Sequence, residues 1–415
     1  MTTNASSGYQ VQRFRYEGAV DCDGHILEPP NLWEEYLENK WKPRAIRIRR
    51  DEDDLEFLEI DGKPHNALVK GIPGIVASID SDRASAMPSP ERTYAGNMPY
   101  GASDPEQRLD LLDKENLQAA ALYPTLGLLW ESHTEDPELA IAYARAYNRW
   151  IADFCRKSRG RLVAVAHVPL LDPRASAVEV ERAVKDGCRG VFVTPRTTVW
   201  SKGTYRPQGH SAHDPVFAKC QELDVPLAIH VGNPPAWDRL WYAELHPAGG
   251  LHPKIREFDP ASPAAYNFDF NCIGATHWVQ RAFISFFSHA VFERFPKLRV
   301  GVLEAQAGWI GSFLDRLDGV WEHVATVPGW GVPLKEKPSV YFQRQCFISA
   351  DPDEFSTALV MDYVGADCFM WASDYPHYDH PESWVPELEK FVDRLPQARR
   401  QGLLGGNAKR FYALS

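Results

Sequence analysis

The sequence predicts an α/β chain that closes into a (β/α)8 TIM barrel, on three observations. Short apolar runs recur between amphipathic stretches, as expected of parallel strands buried on both faces and separated by helices. The length of 415 residues lies in the range of about 200 to more than 400 usual for barrels with insertions. Several of the apolar runs end in Asp, Glu or His, the residue types that barrel enzymes place at the C-terminal ends of their strands.

Eight runs qualify as strands: residues 19–26, 117–123, 162–168, 189–194, 226–231, 298–304, 341–348 and 368–373. Between them lie helical patterns such as PELAIAYARAYNRWIADFCRKS, with apolar residues at three- and four-residue intervals. The whole chain, 1–415, is expected to form one barrel domain, without repeats or an interdomain linker. Two insertions interrupt the pattern. Residues 40–105 hold an alternating hairpin, AIRIRRDEDDLEFLEIDG, and a Pro, Gly and Ser rich stretch; residues 232–271 are rich in Pro, Trp and Tyr. Both leave from strand C-termini, so each is either a wall over substrate or an arm that builds a homo-oligomer, a dimer being expected.

Composition narrows the function classes. Hydrophobic content of 44% and charged content of 24% describe an ordinary globular chain. No apolar run approaches the roughly 18 residues of a membrane span, and MTTNASSGYQ lacks the marks of a secretion signal, so a cytoplasmic protein is expected. A formal charge of -11 with no basic stripe argues against nucleic acid. The seven cysteines are scattered and form no CxxC pair, so they read as reduced core thiols. A small-molecule substrate is the remaining partner.

The two-residue period of a strand puts Asp21, Asp23 and His25 of AVDCDGHIL on one face. The fifth strand ends in His230, the sixth in Glu304, and the eighth in Asp374 with His377 one turn later. Any one of these is as readily a cap or loop anchor as a ligand. Together, Asp23, His25, His230 and Asp374 offer two imidazoles and two carboxylates, a set suited to Zn, Fe or Mn. A His at the end of PLAIHV also needs a partner, because an unpaired buried polar group costs roughly 1–3 kcal/mol.

VDCDGHILEPPNLW, FERFPKLRVGVLEAQAGW, WASDYPHYDHPESW and GGNAKRFYAL resemble the amidohydrolase-related family that includes aminocarboxymuconate semialdehyde decarboxylase, over residues of about 19 to 412. The resemblance implies the amidohydrolase-superfamily barrel, with Asp23 and His25 as the strand-1 metal pair and His230 and Asp374 as further ligands. Glu304 stands where many members carry His, and with His377 it supplies a second metal position. No Lys is available for a carbamylated bridge at the end of the fourth strand, GVFVTPR. The Asp-x-His and Ser-Asp-Tyr-Pro-His motifs resemble a branch of amidohydrolase-fold dimetal monooxygenases.

The expected site therefore has Asp23, His25, His230, Glu304, Asp374 and His377 as metal ligands, with Asp374, His230 and Glu304 also catalytic. The expected cofactors are two divalent ions, iron first with Mn or Zn as alternatives, and O2. A nonheme dimetal monooxygenase is the preferred function; metal-dependent hydrolysis and nonoxidative decarboxylation are the alternatives, with a non-enzymatic binding protein behind them. His277, Arg196 and Trp237 are candidate substrate contacts, Arg196 for a carboxylate. His167 reads as either a hydrogen-bonded structural residue or a second contact. A Ser373, Asp374, His377 hydrolase lacks the GxSxG elbow and is set aside.

Overall fold

The computed structural model describes residues 11–65, 71, 89–196, 198–201, 204–232, 275–324, 327–377 and 383–414. Eight parallel strands form the barrel in sequential order: β1 (Ala19–His25), β2 (Leu117–Tyr123), β3 (Leu162–His167), β4 (Gly190–Val193), β5 (Leu227–His230), β6 (Val300–Leu303), β7 (Cys346–Ala350) and β8 (Phe369–Trp371). All eight are buried almost throughout, as parallel strands covered on both faces must be. The ring closes just beyond β8, where Asp374 N donates to Asp23 O at 3.1 Å and His25 N donates to Tyr375 O at 2.8 Å.

Among the described residues, three helices are capped by the Asp of an Asp-Pro pair. In Pro105–Glu115, Pro137–Cys155 and Pro173–Asp186 the preceding Asp accepts two backbone N–H groups of the first turn, and Pro takes a position that needs no donor. The last helix, Asn407–Tyr412, packs under the barrel. Its Tyr412 hydroxyl donates to Cys22 O at 2.8 Å and lies 2.7 Å from the Tyr123 hydroxyl, whose ring stacks on His230 at 4.8 Å. A buried pair of tyrosines thus runs through the barrel to the floor of the ligand cluster.

One strand was misplaced by the sequence pattern. Residues 341–348 were expected to be extended, but Pro338–Gln345 is helical and β7 begins only at Cys346. Pro338 in the first turn starts the helix, and Gln345 ends it by donating to Phe295 O and Leu298 O at 2.9 and 3.0 Å. The expected hairpin of the first insertion is present as Arg47–Arg50 paired antiparallel with Glu56–Ile60, extended by Lys63–Pro64. A second ribbon, Thr198–Ser201 with Thr204–Arg206, was not foreseen. The second insertion lies outside the described residues from 233 onward. The six described cysteines are free and buried, and among the described residues no helix is long and apolar enough to cross a membrane.

Candidate metal centre

The barrel brings six of the anticipated side chains together at the C-terminal ends of its strands. They form two overlapping quartets that share His25 and Glu304: Asp23, His25, His230 and Glu304, and His25, Glu304, Asp374 and His377. This differs from the expected first set, because Glu304 rather than Asp374 completes the quartet with Asp23 and His230. His230 Nε2 lies 3.2 Å from Asp23 Oδ1 and 3.0 Å from Glu304 Oε2; His25 Nε2 lies 3.0 Å from Asp374 Oδ1 and 3.7 Å from both Asp23 Oδ1 and Glu304 Oε2. Donors about 2.0–2.2 Å from one ion stand roughly 3–3.6 Å apart.

Local backbone features aim these groups. The β1–β2 register shifts between Asp21 and Gly24, a bulge that breaks strict alternation. Asp21 consequently leaves the ligand face. It accepts Ser373 N at 3.0 Å, Ser373 Oγ at 2.6 Å and Asp23 N at 3.3 Å, and so ties β1 to the end of β8. Burial pushes its carboxyl above the usual range, against the pull of the Ser373 hydrogen bonds. Glu304 and Asp374 both adopt left-handed backbone, φ 48° and 53°, a conformation uncommon for non-glycine residues and frequent at functional sites.

Two of the three histidines of the cluster hold Nδ1 against a backbone carbonyl, His25 on Pro124 O at 2.8 Å and His230 on Val231 O at 2.9 Å. Nδ1 therefore carries the proton and Nε2 presents its lone pair inward. Burial, and then repulsion from His377, lowers the His25 pKa to about 4, so its ring is neutral at pH 7. His377 places Nδ1 at 3.2 Å from Asp374 Oδ1 and Nε2 at 2.9 Å from Thr125 Oγ1. The donor set also passes a test of need. Both Asp23 oxygens and the Nε2 atoms of His25 and His230 are buried and meet no hydrogen-bond partner, whereas buried charges are ordinarily paired or coordinate metal. The residues fit a divalent cation.

Several supporting residues escaped the sequence analysis. Glu28, fully buried, accepts N–H groups of Thr125, Leu126 and Gly127 at 3.2, 2.9 and 2.7 Å, fixing the turn that presents Pro124 O and Thr125 Oγ1. Glu354 accepts Ala307 N at 2.9 Å and Gly308 N at 2.5 Å, bracing the turn after Glu304. Neither partnership leaves a local signal, since the contacting residues are about 47 and 97–99 positions apart.

The anticipated substrate contacts fare differently. Arg196 is buried, and its Nη1 donates to Glu131 O and to Thr134 O, the latter at 3.2 Å. His277 is exposed near the start of the helix Ala275–Ser288. Trp237 lies outside the described residues. Ser373 donates to Asp21 and has no nucleophile's role. His167 is buried at the end of β3 with Nε2 on Glu131 Oε1 at 2.5 Å.

Barrel and cluster together define an enzyme of the amidohydrolase class. A family model described as Amidohydrolase matches residues 20–414, and the chain belongs to that family. Among curated proteins it is similar to the gamma-resorcylate decarboxylase of Rhodococcus jostii (strain RHA1), 27% identical over 302 residues, covering 70% of this chain and 84% of the relative. Among solved structures it is similar to an amidohydrolase from Mycobacterium avium subsp. paratuberculosis K-10, with TM-score 0.75 and 22% identity over 95% of this chain and 99% of the other. It also matches a dihydroxybenzoic acid decarboxylase from Polaromonas sp. JS666 holding manganese and the inhibitor 2-nitroresorcinol, with TM-score 0.61 and 18% identity over 96% of this chain and 98% of that one.

These relatives correct the expectation of a dimetal monooxygenase, because the curated ones are decarboxylases. The misreading has a physical origin. A mixed set of carboxylates and imidazoles serves manganese or zinc as well as iron, so ligand types alone do not fix the reaction.

Proposed function

We propose that this chain is a metal-dependent, nonoxidative decarboxylase of a phenolic carboxylic acid. The metal dependence rests on the buried quartet of Asp23, His25, His230 and Glu304, with its unpartnered inward atoms. The reaction class rests on the gamma-resorcylate decarboxylases that match 70% or more of the chain. Manganese is the ion bound in two of the similar solved structures, and the quartet of Asp23, His25, His230 and Glu304 is the position we assign to it here. When bound, it supplies a fixed positive charge that orients an anionic carboxylate and neighbouring phenolic oxygen.

Decarboxylation needs a proton on the ring carbon that bears the carboxylate. The C–H bond forms, the bond from ring to carboxylate breaks, its electron pair restores the aromatic ring, and CO2 departs. Asp374 is the group we assign to carry that proton. His377 lies against it at 3.2 Å and is itself held by Thr125, so a spent Asp374 is reprotonated through His377. Asp23, His25, His230 and Asp374 are all buried, and that exclusion of water strengthens every charge interaction within the site.

The test is anaerobic turnover of manganese-loaded protein on a panel of 2-hydroxy- and 2,6-dihydroxybenzoates, followed by CO2 release and ultraviolet absorbance. Turnover is expected without O2, lost on chelation and restored by manganese, with one deuterium from D2O at the vacated ring carbon. An O2-dependent reaction that yields a hydroxylated product and no CO2 would sink the reading.

A further inference from the structure

Resting on the phenolic reading, we infer that His167, oriented by Glu131, is a specificity-determining residue that takes a ring hydroxyl of the substrate. His167 ends β3 and pairs across to Phe192 of β4. Its ring stacks on Phe192 at 4.3 Å; Phe192 in turn meets His230 edge-on at 5.8 Å and Tyr123 at 5.4 Å. His167 therefore belongs to the same inward layer of rings as His230, one strand removed from the metal cluster.

Glu131 holds the imidazole, and groups from other elements hold the His167 backbone and the turn that carries Glu131. The turn Trp130–His133 after β2 delivers Glu131, whose carboxylate accepts His167 Nε2. Arg196, beyond β4, pins that turn through its carbonyls. Asn148, on the helix Pro137–Cys155, donates to His167 O at 3.0 Å and accepts His167 N at 2.8 Å, while its amide also reaches Glu179 at 2.7 Å. Glu131, Arg196, Asn148 and Glu179 are all buried.

The other ring nitrogen, Nδ1, is buried and has no hydrogen-bond partner. A histidine kept only for structure would be expected to satisfy both nitrogens, since buried polar groups in native proteins are nearly always hydrogen-bonded. The arrangement is the reverse of that in His25 and His230, which tie Nδ1 to a carbonyl and leave a lone pair for a cation. In His167 the buried Glu131 carboxylate takes the Nε2–H, which leaves Nδ1 as the ring's remaining hydrogen-bond acceptor. Its fitting partner is an oxygen that brings its own hydrogen, such as a phenolic hydroxyl.

The probes are 2-nitroresorcinol and 2-nitrophenol, which differ by one ring hydroxyl, titrated into manganese-loaded protein through their visible absorbance. Wild type is expected to prefer 2-nitroresorcinol by about tenfold or more, since a site built to bind a hydroxyl rejects the ligand lacking it. His167→Gln still donates to Glu131 but has no second nitrogen to offer. It should cut the preference to less than about threefold with manganese stoichiometry intact. If that variant misfolds, the double substitution His167→Phe with Glu131→Leu removes both partners together and is read in the same way. Retained preference in the folded variant, or equal weakening for both probes, overturns the inference and leaves the pair structural. Failure of wild type to bind either phenol overturns the phenolic reading first and this inference with it.

Discussion

The seam between β1 and β8 and the wall of β5, β6 and β7 are parts of one sheet built on opposite rules. Along the wall the register runs without a shift, Leu227 to Val300, Ala228 to Gly301, Ile229 to Val302, and almost every side chain is apolar. At the seam β1 bulges, Asp374 turns left-handed, and Asp21, Asp23, His25, Ser373 and Asp374 crowd into the joint. Regular pairing fixes where strand ends lie, whereas irregular backbone chooses which side chains meet there.

Four substitutions probe that contrast. The largest effect is expected from His230→Ala, which removes a ligand-type nitrogen from a regular strand. Decarboxylation should fall at least about a thousandfold and metal content should drop, with circular dichroism unchanged. Retained metal stoichiometry would show that His230 is not a ligand.

Asp21→Ala comes next and acts on the seam itself. It removes the acceptor for Ser373 N, Ser373 Oγ and Asp23 N, and should cost about 3 kcal/mol of stability in denaturant unfolding as well as weakening metal binding. A loss of stability with unaltered metal affinity would separate closure from ligand placement.

Glu354→Gln tests the brace behind Glu304, with an expected loss of about tenfold in metal affinity. It also has a pH signature. Burial, reinforced by Asp351, pushes the Glu354 carboxyl from its ordinary 4.5 up to about 7. A pKa raised on folding contributes stability that is full below about pH 4.5 and is lost as pH rises through about 7. The difference in Tm between wild type and Glu354→Gln should therefore change across that window, and a difference independent of pH would refute the linkage.

Ile229→Val is the smallest. It trims a fully buried methylene on the regular wall and should cost about 1 kcal/mol with metal content and turnover unchanged.

Much of this was legible in the sequence because parallel strands announce themselves as apolar runs and barrel chemistry sits at their ends. Asp23, His25, His230, Glu304, Asp374 and His377 could all be found that way. Periodicity failed where the backbone departs from it. The bulge in β1 sends Asp21 to Ser373 instead of to the ligand face, and Pro338 starts a helix inside an apolar stretch that looked extended. Glu28, Thr125 and Glu354 were invisible for a different reason, since each matters through a partner distant in sequence. Reaction class was misjudged because donor atoms specify a cation more closely than the bond it helps to break.

The seam has one more consequence, for assembly of the chain. Asp23 and Asp374 are separated by most of the polypeptide, yet the Asp374 N to Asp23 O bond closes the ring beside both ligand quartets. A ribosome-bound or truncated chain that lacks β8 has no second quartet and no closed joint to hold the first. Contacts of such long sequence separation form late and slowly. High-affinity metal uptake should consequently mark the end of folding, and an ion added to partly folded chains should stabilise only those in which the first and last strands have already met.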